Sequence, residues 1–296
     1  MNRKSFVMAV SLLVVSDLFA ARADEPRRHE PPQLAPEVRE RCMATLRMAI
    51  KSDEFWPAMH AAEALTLAGA PDEVVAELRD RLPLERNDQR RCGLARELVR
   101  AGDRSRLPIL FEILGDTQSI GRVHAAESLY KLAELGDGKA LRAAFEHGEN
   151  PQLRLWSAAA IAKAGHAEAL AKLREQLRSE DRQVRNTAAF ALARLGGDSD
   201  VQPLLNALDL EMDVVSRAIL ANALACLGDR RGRDELARNL SSTDAAVRTM
   251  SAEFAGHSRS FDCQAKLVRL LDDAALDARV RAAQSLIALS LPATKR

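Results

Sequence analysis

The sequence predicts an all-α protein, an α-solenoid (superhelix) of about eight repeats with two helices each. Three observations support this prediction. A residue pattern recurs every 31 or 32 residues, its apolar positions have helical spacing, and glycines follow most copies. A repeat period of this length is typical of stacked helix pairs. Because neither helix of such a pair can bury its apolar face alone, the units must stack on one another.

Residues 1–23 have the pattern of a signal peptide for export. Arg3 and Lys4 precede an apolar run over residues 6–15, and Ala21-Arg22-Ala23 offers small residues at the positions that a cleavage site requires. The run is too short to span a membrane as a permanent helix. We therefore predict cleavage near Ala23 and a periplasmic or secreted protein.

The remaining chain divides into an arm, a repeat region and a tail. Residues 24–35 contain three prolines among charged residues and have no periodicity, which predicts a flexible arm. Pro36 suits a helix start, because the backbone N–H that proline lacks would be unpaired there. We place the solenoid at residues 36–290 and a C-terminal tail at residues 291–296.

An arginine marks each copy of the repeat from the second onward. An alanine stands four residues later, and a residue that is usually leucine or isoleucine stands seven residues later. The first copy keeps the alanine and the leucine but has Ala58 in place of the arginine. The alanine and leucine share one helix face, where the small residue lets two helices approach closely. The arginines are Arg91, Arg122, Arg154, Arg185, Arg217, Arg248 and Arg279.

The repeat predicts eight helix pairs that stack about 8–10 Å apart into an arc of about 70 Å with a long concave surface. In the seventh pair Ala255 replaces the leucine, and Ser258-Arg259 stands where other copies end their helix with Leu-Gly. These changes predict looser packing or a bend. The pairs lie near residues 36–69, 72–102, 104–137, 138–165, 167–197, 199–229, 231–258 and 261–290.

Residues 184–196 (VRNTAAFALARLG) and 279–286 (RVRAAQSL) resemble HEAT repeats, and the short period makes them most similar to the PBS-lyase HEAT-like subclass. The resemblance covers nearly all of the mature chain and implies the fold, but it says little about function. The family pattern has an aspartate in the turn before the Val-Arg helix. Asp181, Asp213 and Asp244 match it, whereas Gln118 and Asn150 depart from it. We expect the repeat arginines to pair with these aspartates.

Composition and motifs argue against several function classes. Aromatic residues make up only 4%, which disfavours a stacking platform for single-stranded nucleic acid or a carbohydrate cleft. The formal net charge of +1 gives no basic excess for duplex nucleic acid. No enzyme signature is present, so we predict no catalytic residue and no cofactor. Some relatives of the PBS-lyase subclass attach or detach tetrapyrroles in the cytosol, which an exported chain does not fit.

Two candidate metal or thiol sites are also disfavoured. The tetrapeptide His-Ala-Ala-Glu occurs at residues 60–63 and 124–127, two units and therefore about 20 Å apart, which is too far for one metal ion. We expect exposed local pairs and no metal site.

The four cysteines show no disulfide framework, and we predict that they are buried thiols. A disulfide between Cys42 and Cys92 is left open. The cysteines are Cys42, Cys92, Cys226 and Cys263.

A basic row is the main candidate for partner binding. Two residues beyond the repeat leucine, four consecutive units have Arg100, Lys131, Lys163 and Arg194, and Trp156 lies seven residues before Lys163. In one interpretation these cations only complement the C-terminal ends of their helices. In the other they dock an acidic segment on the concave face. The predicted function is a non-catalytic scaffold for a partner protein; the alternative is a module that binds an anionic polymer such as a sulfated or uronic polysaccharide.

Overall fold

The computed structural model describes residues 33–292, and within that range it contains sixteen α-helices and no strand. The predicted all-α solenoid is thereby confirmed. The predicted signal peptide, most of the predicted arm and the last four residues lie outside the described part. The helices are α1 (Pro36–Ala49), α2 (Phe55–Leu67), α3 (Pro71–Leu78), α4 (Asp88–Arg100), α5 (Leu107–Gly115), α6 (Arg122–Leu132), α7 (Lys139–His147), α8 (Pro151–Lys163), α9 (Ala167–Gln176), α10 (Arg182–Leu195), α11 (Val201–Leu210), α12 (Val214–Cys226), α13 (Arg230–Asn239), α14 (Ala245–His257), α15 (Gln264–Leu270) and α16 (Leu276–Ser290). None of these helices is long and apolar enough to cross a bilayer.

The aspartates of the family pattern are helix caps. Asp181 accepts hydrogen bonds from the backbone N–H groups of the first turn of α10, and Asp244 does the same for α14. Asp213 caps α12 in the same way. Such caps satisfy N–H groups that have no partner inside the helix. Within residues 33–292 no ion pair joins these three aspartates to a repeat arginine, and Asp213 pairs instead with Arg182 at 2.9 Å, so the predicted pairing is wrong.

The repeat arginines instead bind the turn that precedes their own helix and the next unit. The Nη1 atom of Arg185 donates to the carbonyls of Ser179 and Glu180, both at 2.9 Å, and its Nη2 atom reaches Glu211 of the next unit at 3.1 Å. Arg248 repeats this arrangement with Asp273 of the last unit as its acceptor. The arginine column therefore ties consecutive units together, and its role is structural.

The stack of units closes on itself. The even-numbered helices pack side by side in order, and α16 packs against both α2 and α1. Three polar contacts cross this closure: Arg41 with Asp272 at 2.9 Å, His60 with Asp277 at 2.7 Å, and Arg281 with Glu63 at 3.2 Å. The even helices thus form an inner ring and the odd helices an outer one. The expected arc is wrong, because the ring is closed and the concave face is turned towards its centre. We call the space enclosed by the inner helices the lumen.

The seventh unit packs tightly, contrary to the looseness expected from its sequence. Gly256 of α14 lies so close to α16 that a Cβ atom on it would be 2.6 Å from Ser285 Oγ. That hydroxyl accepts from the Gly256 N–H at 3.1 Å and donates to the carbonyl of Ala252 at 2.5 Å. Arg259 takes the left-handed conformation that glycine adopts in other units, and it donates to carbonyls of α16 and Leu291. Small residues here allow a closer approach.

All eight repeat alanines have no exposed surface, so a small side chain is needed where the helices pack on one another. We expect Ala189→Leu in α10 to lower the free energy of unfolding by about 1–3 kcal/mol through overpacking. The measurement is the urea midpoint at unchanged slope. Ala143→Leu on the exposed side of α7 is the control, with little change expected. Equal midpoints for Ala189→Leu and the parent would contradict a close helix approach.

Candidate functional site

Charged, aromatic and histidine side chains of the inner helices line the lumen. Three positions of each inner helix, separated by three and then four residues, share the face that points inward. Contacts between helices that are not neighbours establish this face: Arg194 of α10 reaches Glu253 of α14 at 2.7 Å, and Phe190 packs on Phe254 at 5.3 Å between ring centroids. The position nearest the helix C-termini forms one layer of eight residues, and these are Leu67, Arg100, Lys131, Lys163, Arg194, Cys226, His257 and Ala288.

The four cations of the predicted row share this layer, and each has an internal partner. Arg100 pairs with Glu97 and, at 3.3 Å, with Glu63, while Lys131 pairs with Glu127 at 2.8 Å. Lys163 donates to the carbonyl of Tyr130 at 3.0 Å, and Arg194 pairs with Glu253. The side chains of Arg100 and Lys131 are 19% exposed and that of Arg194 is 21% exposed. Their role in partner binding stays a prediction, and it would require breaking these pairs.

Trp156 belongs to a row of aromatic side chains that pack on one another. It packs on Tyr130 at 5.5 Å and on Phe190 at 5.7 Å between centroids, and it is 9% exposed. Arg194 completes this row, because its guanidinium lies 4.1 Å from the centroid of Phe190 and 4.6 Å from that of Phe254. Trp156 therefore contributes chiefly packing to the lumen. These aromatic residues stand at different positions of their repeats, so the repeat period did not indicate that they meet.

Arg281 is the centre of the lumen's charge network. It is 4% exposed and lies between two carboxylates, with Glu63 at 3.2 Å and Glu253 at 3.4 Å. Burial opposes ionisation of Glu253, but Arg281 and Arg194 outweigh it and lower its pKa to about 2. Glu63 is likewise buried, yet Arg100 and Arg281 hold its pKa well below its usual value. Both carboxylates are therefore charged and compensated at neutral pH.

The histidines of the repeated tetrapeptide are not the exposed pairs that the sequence predicted. Nδ1 of His60 donates to Asp277 across the closure, and the ring of His124 stacks on Trp56 at 5.3 Å between centroids. Burial lowers the pKa of both rings, and it lowers that of His257 to about 3. All three are neutral at pH 7. Residues 33–292 contain no group of three or more His, Cys, Asp or Glu side chains that could hold a metal ion.

The four cysteines are buried and form no disulfide in the described chain. Burial raises the pKa of Cys42 and Cys92 to about 12 and that of Cys263 to about 11. These three thiols stay protonated at neutral pH, so none is a reactive nucleophile. Cys226 has a different position, because it lines a cavity.

That cavity opens at the end of the lumen where the inner helices finish. Its volume is about 550 Å³, and its walls include Leu67, Arg194, Cys226, His257 and Arg259. This volume is in the usual range of small-molecule pockets. Its cations are already engaged, since Arg194 pairs with Glu253 and Arg259 bonds to carbonyls.

Asn222 is a polar residue without a polar partner. It has no exposed surface, and neither its amide nitrogen nor its amide oxygen has a partner among the described residues. Such a group costs about 1–3 kcal/mol. We expect Asn222→Leu to raise the urea midpoint, equivalent to about 1 kcal/mol. Asn206→Leu on exposed α11 serves as the control. A lower midpoint for Asn222→Leu would mean that a buried water or ligand satisfies the amide.

Comparison with known proteins identifies the repeat. A family model described as HEAT repeats matches residues 138–221, from α7 into α12. Human deoxyhypusine hydroxylase in complex with glycerol aligns with 86% of this chain and 97% of that chain, at 19% identity and a TM-score of 0.41. Two engineered proteins align with 86% and 84% of this chain and 97% and 78% of theirs, at 20% and 18% identity and TM-scores of 0.32 and 0.29. The curated proteins contain no match.

Proposed function

We propose that this HEAT-repeat protein is an exported, non-catalytic scaffold that binds a partner protein through one rim of its ring. The concave face was the expected binding surface, but it lines a lumen whose charges pair with one another. We therefore place the partner on an outward-facing surface. The signal-peptide pattern of residues 1–23 supports export.

The distribution of exposed apolar side chains carries this proposal. Seven of the nine large apolar side chains exposed in the described chain lie at the end of the ring where the inner helices begin, and we call this end the N-terminal rim. Met212 is the most exposed of them, at 86%. Single exposed apolar residues are ordinary, but their concentration at one end of the ring supports an interaction surface there. The seven are Met48, Trp56, Leu84, Ile120, Leu210, Met212 and Val214.

Variants of the rim test the proposal. We expect the triple variant Leu84→Ser, Ile120→Ser and Met212→Ser to abolish capture of the native partner from the envelope of the source cell, because it removes apolar contact area. The remaining two exposed apolar residues, Leu67 and Phe261, lie at the opposite end, so Leu67→Ser with Phe261→Ser is the matched control. Capture by the parent should withstand 0.5 M salt. Binding that survives the rim variant, or that collapses with salt, would contradict a protein interface at this rim.

Export has its own test. We expect the N-terminal sequence of the protein recovered from its native host to begin at Asp24, after cleavage following Ala23. The measurement is N-terminal sequencing of the protein from the isolated envelope and from the cytoplasm. An intact Met1 on a cytoplasmic protein would contradict export.

A further inference from the structure

An open groove lies on the outer wall of the ring, on the opposite side of α4 from the lumen. Helix α3 is only eight residues long, and residues 79–87 connect it to α4. The short helix leaves a cavity of about 590 Å³ between this connection and α5. Leu82 and Ile109 contribute its apolar walls. The groove shares no lining residue with the cavity at the end of the lumen.

Four guanidinium groups line this groove, from Arg79, Arg86, Arg91 and Arg106. Two carboxylates line it, from Asp80 and Glu85. The carboxylates of Asp88 and Asp103 pair with Arg91 and Arg106, which leaves Arg79 and Arg86 as the guanidinium groups without an ion-pair partner in the described chain. The Glu85 carboxylate is already engaged, because it accepts the backbone N–H groups of Arg86 and Asn87, both at 2.9 Å.

The arginines of the groove retain donors for a ligand. Arg79 and Arg86 are exposed, and their guanidinium groups have no hydrogen-bond or ion-pair partner within residues 33–292. Arg91 uses one nitrogen for Asp88 at 2.6 Å, and Arg106 uses one for Asp103 at 3.1 Å. Each guanidinium has five N–H donors, so these two also keep unused donors.

We propose that this groove binds a doubly charged oxyanion of the sulfate or phosphate type. Planar guanidinium forks match the oxygens of such groups and bind them through paired hydrogen bonds. Leu82 and Ile109 add an apolar wall beside these donors. The oxyanion is either free in solution or carried on a sulfated polymer. This inference does not depend on the partner protein proposed for the N-terminal rim.

Titration calorimetry with inorganic sulfate and inorganic phosphate tests the groove in the full mature chain. We expect Arg79→Gln with Arg86→Gln to weaken binding at least tenfold. Arg178→Gln with Arg230→Gln removes the same charge from exposed arginines elsewhere, and it should change affinity less than twofold. Arg79→Lys with Arg86→Lys keeps the charge but removes the planar guanidinium groups. We therefore expect a loss of affinity between those of the Gln variant and the control. Thermal unfolding of each variant checks the fold.

Heparin, a sulfated polysaccharide, distinguishes the two sources. If the groove takes polymer-borne sulfate, the Gln variant elutes from heparin at lower salt than the Arg178/Arg230 control, and free sulfate competes. If it takes only the free ion, the two variants elute together while the calorimetric difference remains. Equal calorimetric losses in the groove variant and the control, or no heat with either anion in the parent, would overturn the proposal.

Discussion

Replacing Arg281 with methionine is expected to lower the free energy of unfolding by about 3 kcal/mol at neutral pH, because each of two buried carboxylates then loses one of its two paired cations and keeps only Arg100 or Arg194. Arg281 lies between Glu63 of α2 and Glu253 of α14 and also donates to Gln284 at 2.7 Å. It is the cation that joins the last inner helix to the first, so its loss weakens the closure of the ring as well as the lumen.

The pH dependence identifies the cause of this loss. In the parent, the pKa of Glu253 is lowered from 4.5 to about 2, so its ionisation contributes stability above pH 4.5 that is lost as the pH falls towards 2. Without Arg281 the folded-state pKa values of Glu253 and Glu63 rise, so lowering the pH costs the variant less stability than it costs the parent. The deficit of the variant should be largest near pH 7 and smaller at pH 4.

A second variant separates lost charge compensation from lost packing. Arg281→Met combined with Glu253→Gln removes one of the two carboxylates that lost Arg281 as a cation, and it should recover part of the deficit at pH 7. The measurement is the urea midpoint of each protein at both pH values. A deficit that is the same at pH 7 and pH 4, and that the second change does not reduce, would mean that only packing is lost.

The repeat and its packing could be predicted from the sequence because they depend on local spacing. The recurrent alanine and leucine determine which face of each inner helix is buried, and the alanine in α10, Ala189, has no exposed surface. The alignment of Arg100 and Lys131 in one layer follows from the same period. Closure does not follow from it, since the curvature of a solenoid accumulates from small rotations between units.

The nature of the candidate site depends on that closure. His60 hydrogen-bonds to Asp277, and Glu63 pairs with Arg281. Each partner is more than 210 residues away along the chain. A further signal was available in the sequence: one turn before the basic row, the same helix face carries Glu63, Arg96, Glu127 and Glu253. A face that carries both signs of charge can neutralise itself, and this pattern distinguishes a self-paired lumen from a surface that binds an anion.

Gly232→Ala is expected to destabilise the ring by about 3 kcal/mol, since overpacking of this kind costs about 1–3 kcal/mol and more where backbone must move. Gly232 lies in α13 and is buried against α12. A Cβ atom at this position would lie 2.5 Å from the backbone nitrogen of Ala225 and from the Cβ of Leu224, and 2.8 Å from the carbonyl oxygen of Ala221. No rotamer change relieves contacts with backbone, so the two helices must separate.

Gly115→Ala is the matched control for Gly232→Ala, because it makes the same substitution at the end of helix α5, where a Cβ atom would meet nothing within 4 Å. Alanine is favoured over glycine in a helix by up to about 1 kcal/mol, so the control should be neutral or slightly stabilised. The measurement is the urea midpoint, with helix content checked by circular dichroism. Since α13 packs on both α12 and α14, separation of α12 and α13 would also loosen the seventh unit. A Gly232→Ala protein as stable as the Gly115→Ala protein would contradict the backbone contact between α12 and α13.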